Sequence, residues 1–127
     1  MKPNTFLGIT ALVALLFGLS FYLVPVETMA MYGVTLDVSG QYIARYLGSA
    51  FLGVAVINWL VRNISLKDKS MQAILLGFFT LSLTGFVASV FDALRAIGNN
   101  LVWSTVLIYL ILALGFGYYG FRKSEGS

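Results

Sequence analysis

Three charged residues, Arg45, Asp92 and Arg95, lie within or at the edge of long apolar runs, where a formal charge is costly. Asp92 and Arg95 are three apart, a spacing that places them on one helix face. If the chain crosses a membrane back and forth, Arg45 and Asp92 reach the same depth, and the guanidinium can meet the carboxylate across neighbouring helices. Two arginines against one carboxylate leave surplus positive charge. That surplus suits an anionic or polar headgroup whose apolar tail lies between helices. Tyr22, Glu27, Asp37 and Gln41 fall on the same side, and Asn99 and Asn100 add further polar groups. The ligand-binding set expected from sequence is therefore Arg45, Asp92, Arg95, Glu27, Tyr22 and Gln41. The bland alternative is that the arginines reach lipid phosphates and Asp92 finishes a helix. Asn58 points away from the Arg45 face and lies nearer the opposite side.

Other chemistries are poorly supplied. There is no cysteine, so disulfides, thiolate catalysis and haem attachment through Cys are excluded. There is no histidine, which removes the commonest general base and metal ligand. Of the five carboxylates, Glu27, Asp37, Asp68, Asp92 and Glu125, no group forms a metal-ligand pattern. No metal, cofactor or catalytic residue is expected. Asp92 could act as a base only with partners that the sequence does not assemble around it.

The elements that must hold these residues are four apolar runs, at residues 4–24, 42–61, 71–91 and 101–121, and Arg45 is the only formal charge inside them. A run of this length makes a helix of about 30 Å, enough to cross the hydrocarbon core of a bilayer. Hydrophobic residues make up 59% of the 127-residue chain and charged residues only 10%, where soluble domains carry about 25% charged. The mean hydropathy is +0.90. The expected architecture is an all-α polytopic membrane protein: one domain over residues 1–127, an antiparallel bundle of four transmembrane helices. The first run follows Lys2 as a signal peptide would, but it is too long, and Phe21, Tyr22 and Leu23 make a poor cleavage site, so it reads as a retained span.

Between the runs, residues 25–33 read as a short amphipathic helix on the outer side, with Pro25 at its first position and Gly33 as its stop. Residues 34–40 form a loop, with Asp37 or Ser39 available to cap the second span. Residues 63–69 are a polar turn; its Asn63-Ile64-Ser65 sequon falls on the inner side and is discounted. Residues 96–100 are a tight connection, with Gly98 to stop one helix and Asn99 or Asn100 to start the next.

Lys2, Arg62, Lys67, Lys69, Arg122 and Lys123 collect on one side, against Arg45 and Arg95 on the other. By the positive-inside rule, both termini are cytoplasmic. Tyr22, Tyr42, Tyr46 and Trp103 then mark the outer interface, and Trp59, Tyr118 and Tyr119 the inner one. The net charge of +3 follows from this topology and does not imply nucleic acid binding.

Small residues let helices approach closely in lipid. They predict packing stripes at Gly8, Ala11, Leu15, Gly18 and Tyr22; at Gly48, Leu52, Ala55 and Trp59; at Gly77, Leu81, Gly85, Ala88 and Asp92; and at Tyr109, Ala113, Gly117 and Gly120. The last stripe is also the expected face for a homo-oligomer or a partner membrane protein. Hydroxyls such as those of Ser82 and Ser89 are expected to return to their own helix backbone.

Leu23-Val24-Pro25-Val26-Glu27, Met31-Tyr32-Gly33, Arg45-Tyr46-Leu47-Gly48 and the stretch 53–59 resemble small bacterial four-helix membrane proteins of the DoxX-like group. The turn Gly98-Asn99-Asn100 with Trp103, and the glycine-rich aromatic stretch 115–120, fit the same resemblance. It implies a four-helix bundle in the bacterial inner membrane and a partner protein, and carries over no catalytic residue.

The functional expectation is a non-enzymatic membrane bundle: an accessory subunit, or a binder of membrane lipid or another apolar ligand at an outer polar pocket. The alternative is a small transporter or channel acting as an oligomer. No span carries a central acid, so proton coupling has no evident carrier.

Overall fold

The computed structural model describes residues 2–121. The tail residues Arg122 and Lys123, which enter the charge asymmetry, lie outside them. The all-α class expected from sequence is observed, with helices α1 (Pro3–Leu23), α2 (Pro25–Met31), α3 (Val38–Val61), α4 (Lys69–Leu94) and α5 (Val102–Phe121). All but α2 are long and apolar enough to cross a membrane. The chain forms two compact units that divide after Arg62.

Local chemistry sets the helix ends. Pro25 lacks an N–H and disfavours helical geometry at the residue before it, so α1 stops and α2 starts with proline at its first position. Thr28, buried in α2, clamps this joint: its hydroxyl donates to the carbonyls of Val24 at 2.7 Å and Ser20 at 3.2 Å. Asp37 caps α3 by accepting the Gly40 N–H at 2.7 Å, and Asp68 caps α4 by accepting the Ser70 N–H at 2.8 Å. Each cap starts its helix before the apolar run begins, so α3 and α4 are longer than hydropathy alone implies.

In the first unit α1 and α3 pack antiparallel along a seam of backbone. A Cβ on Gly48 would stand 2.7 Å from the Tyr22 nitrogen and 2.8 Å from the Gly18 carbonyl oxygen. One on Gly18 would meet Leu52 at 2.9 Å. Lipid supplies no hydrophobic drive for helices to associate, so such close contact carries the packing instead. Phe17, Phe21 and Phe51 close the seam's flank, with ring centroids 6.3–6.4 Å apart. The buried face of α1 runs through Leu7, Ala11, Ala14, Gly18 and Phe21, rotated from the expected stripe; Leu15 and Tyr22 are exposed and Gly8 has open space above it. In α3, Ala44, Gly48, Ala55 and Asn58 are buried, whereas Trp59 is exposed.

The second unit fills its seam with side chains. Met71, Leu75, Phe78, Ser82 and Ser89 of α4 are buried, as are Val106, Ala113, Phe116 and Tyr119 of α5. The Phe78 and Phe116 rings lie 5.4 Å apart. Gly85 forms a slot beneath the Tyr109 ring, and a Cβ on Gly117 would meet the Phe79 ring at 3.0 Å. The expected α4 stripe is corrected here. Gly77, Leu81, Ala88 and Asp92 are exposed, because the larger side chains of the opposite face make more van der Waals contacts across the seam than stacked small ones. The α5 stripe is spent inside the chain: Gly117 and Gly120 face Phe79, Leu75 and Leu76 of α4, so this face is not free for a second copy. Tyr119 is buried and is not an interfacial anchor.

Candidate functional site

The expected polar cluster divides between the units. Tyr22, Glu27, Gln41 and Arg45 belong to the first, Asp92 and Arg95 to the second. In the first unit, the Asp37 cap starts α3 four residues ahead of the apolar run. Gln41, Tyr42 and Arg45 thereby become helical and share the end of the pair where α1 turns through α2. Arg45 is exposed on α3, Gln41 is half-buried, and Glu27 and Tyr22 are exposed.

The sequence reading assigns Tyr42 and Tyr46 to interfacial anchoring, and both are exposed. Beyond that, they form a pair. Their rings meet edge to face at 4.8 Å, and the Tyr46 hydroxyl donates to the Tyr42 hydroxyl at 3.2 Å. The spacing 42, 45, 46, 49 makes one helix face, so Arg45 shares an exposed surface with two phenols and the Ser49 hydroxyl. A guanidinium flanked by hydroxyl groups is a donor set for phosphate or carboxylate oxygens. The signal was present in the i, i+4 tyrosines around Arg45.

In the second unit, Asp92 and Arg95 end α4. The Asp92 carbonyl accepts the Ile97 N–H at 2.9 Å, and the Arg95 guanidinium lies 5.7 Å from the centroid of the Phe91 ring. Both residues are exposed, so Asp92 is not a carboxylate buried in apolar surroundings. Asn99 closes the turn that leads into α5, its side chain accepting the Leu101 N–H at 3.0 Å.

Two buried polar atoms were not anticipated. Asn58 is fully buried; its amide donates to the Val54 carbonyl at 3.1 Å, while its Oδ1 has no hydrogen-bond partner among the described residues. Ser82 is fully buried and its Oγ is likewise unpartnered, contrary to the expected return to its own backbone. Asn58 was legible as the only amide deep in a span, three residues from Ala55 on the Ala44–Gly48 face.

A groove of about 380 Å³ runs between α1 and α3 at the end of the pair opposite Arg45, bounded among others by Gly8, Ala11, Ala55 and Trp59. Among the described residues, no three His, Cys, Asp or Glu side chains gather as metal ligands would. Compared with family models, curated proteins and solved structures, the chain matches none.

Proposed function

We propose that the protein is a non-enzymatic integral membrane protein that holds a lipid, or another apolar molecule with an anionic head, at the Arg45 face, and that it works as an accessory subunit of the DoxX-like kind. The observation that carries this reading is a cation exposed on a membrane-crossing helix beside paired, exposed tyrosines. A lone guanidinium there costs free energy unless it meets water or an anion, and a lipid phosphate supplies the anion while its chains cover Tyr42 and Ile43, which are also exposed. The resemblance to the DoxX-like group supports a subunit role.

In nanodiscs containing phosphatidylglycerol and phosphatidylcholine, native mass spectrometry is expected to find anionic lipid retained by the wild type. Arg45→Gln should lower that retention about fivefold, the effect of roughly 1 kcal/mol per basic residue near an anionic surface. Equal retention by the variant sinks this reading.

The same proposal puts residues 25–41 outside the cell membrane of a bacterium and both termini in the cytoplasm, on the strength of the basic residues Lys2, Arg62, Lys67 and Lys69. Thr35→Cys is then expected to react with an impermeant thiol reagent from outside, and Lys67→Cys only after the membrane is opened. The reverse pattern overturns the orientation.

A further inference from the structure

We infer that the groove between α1 and α3 is a seat for one acyl chain of an anionic glycerophospholipid, with the phosphate held by Arg62 and Lys2. The groove opens beyond the Gly18–Gly48 seam, where Gly8, Ala11 and Ala55 contribute little side-chain volume between the two helices. Gly8, Ala11 and Ala55 make its floor, and Leu12 and Leu60 stand as walls, exposed at 56% and 70%. Its 380 Å³ is at the small end of ligand pockets, the scale of a single chain. A Cβ on Gly8 meets nothing within 4 Å, so the floor is open.

Charge decides which lipid. Trp59 bounds the groove at its end, and the Arg62 guanidinium lies 3.6 Å from the centroid of the Trp59 ring. Arg62 also donates to the Trp59 carbonyl, so the stacked guanidinium is held at the groove mouth with N–H groups left for an oxyanion. The antiparallel packing of α1 on α3 brings Lys2, one residue before α1, to this same end. No carboxylate belongs to this end of the first unit: Glu27 and Asp37 are both at the other. An apolar channel with two cations at its end complements a fatty chain with a phosphate head, and a zwitterionic head less well. Arg62 is 17 residues from Arg45 on one helix, about 25 Å away at 1.5 Å per residue, so this seat does not rest on the Arg45 reading.

The test uses the full chain in nanodiscs with a phosphatidylglycerol that carries a photoreactive diazirine in its acyl chain, followed by peptide mapping. Crosslinks are expected to concentrate on Leu12, Val56 and Leu60. Gly8→Leu, and independently Val56→Trp, should remove them by filling the groove from the α1 and the α3 side. Arg62→Gln should lower the preference for phosphatidylglycerol over phosphatidylcholine about fivefold while leaving the crosslinked positions the same. Crosslinks spread evenly over exposed positions away from the groove, such as Leu107 and Leu114, overturn the proposal, as does insensitivity to both groove-filling variants. A dimeric mass lost in Gly8→Leu would also overturn it, because the occupant would then be a second copy.

Discussion

The two helix pairs use the same residue types to opposite ends. Between α1 and α3, glycine brings backbone against backbone: the nearest atoms to a Cβ on Gly48 are the Tyr22 nitrogen and the Gly18 carbonyl oxygen. Between α4 and α5, glycine makes room for side chains: Tyr109 lies over Gly85 and Phe79 over Gly117. In the first pair the missing methyl lets two rigid rods touch, and in the second it receives a ring. Tight contact at one end of the first pair also leaves the apolar groove at the other, where small residues continue but nothing fills the space between them. A glycine in an apolar helix therefore has no single meaning. What stands opposite it decides whether the position tolerates a side chain.

That contrast predicts a graded series, measured as unfolding free energy in mixed detergent micelles. Gly48→Ala should be the most damaging. Replacing a helical glycine by alanine is favourable by about 1 kcal/mol in itself, but overpacking against atoms that cannot rotate away costs typically 1–3 kcal/mol. The net loss is expected to reach about 2 kcal/mol. Gly85→Ala should cost less, because the Tyr109 ring can turn, and Tyr109→Leu in the same chain should recover most of the loss. Gly117→Ala should be close to neutral, since the Phe79 ring need yield only a few tenths of an ångström. If Gly48→Ala proves no worse than Gly117→Ala, the two seams are not different in kind.

Fold class was legible because it depends on run length and charge exclusion, which survive any detail of packing. The Asp37 cap and the Gly33 stop were legible because each rests on one residue's own chemistry. The packing faces were not. In an apolar helix, leucine and phenylalanine are equally at home against lipid or protein, so the usual amphipathic contrast is missing and small residues become the only guide. They located Gly18 and Gly48 but misplaced α4, where Phe78 and Met71 claim the seam and Gly77 faces outward. The candidate site was half legible. Arg45 stands out as a charge in a span, yet its tyrosine pair and the orphaned carbonyl of Asn58 depend on side-chain placement that spacing alone does not disclose.

The smallest difference between the pairs lies at their closed ends, and it reverses the sign of a substitution. Both α2 and α4 finish with the same backbone hydrogen-bond arrangement. Gly33 N–H donates to the Ala30 carbonyl and Val34 N–H to Met29; correspondingly Ala96 N–H donates to Ala93 and Ile97 N–H to Asp92. This cap requires a left-handed residue at its first position beyond the helix end. In the first unit that residue is glycine, Gly33, at φ 74°, which adopts the conformation freely. In the second it is Ala96, at φ 56°, where a side chain costs about 1–2 kcal/mol. Gly98, two residues further on, was the expected stop, but the helix has already ended. Ala96→Gly should therefore stabilise the chain: relief of the left-handed strain outweighs the roughly 0.4–1 kcal/mol lost to a more flexible unfolded state, for a net gain of up to about 1 kcal/mol. Gly33→Ala should destabilise by a similar amount, for the mirror of the same reasons. Equilibrium unfolding of the two variants under identical detergent conditions reads both signs at once. A loss of stability in Ala96→Gly would mean that the α4–α5 turn does not hold Ala96 in the left-handed region, and the parallel between the two closed ends would fall with it.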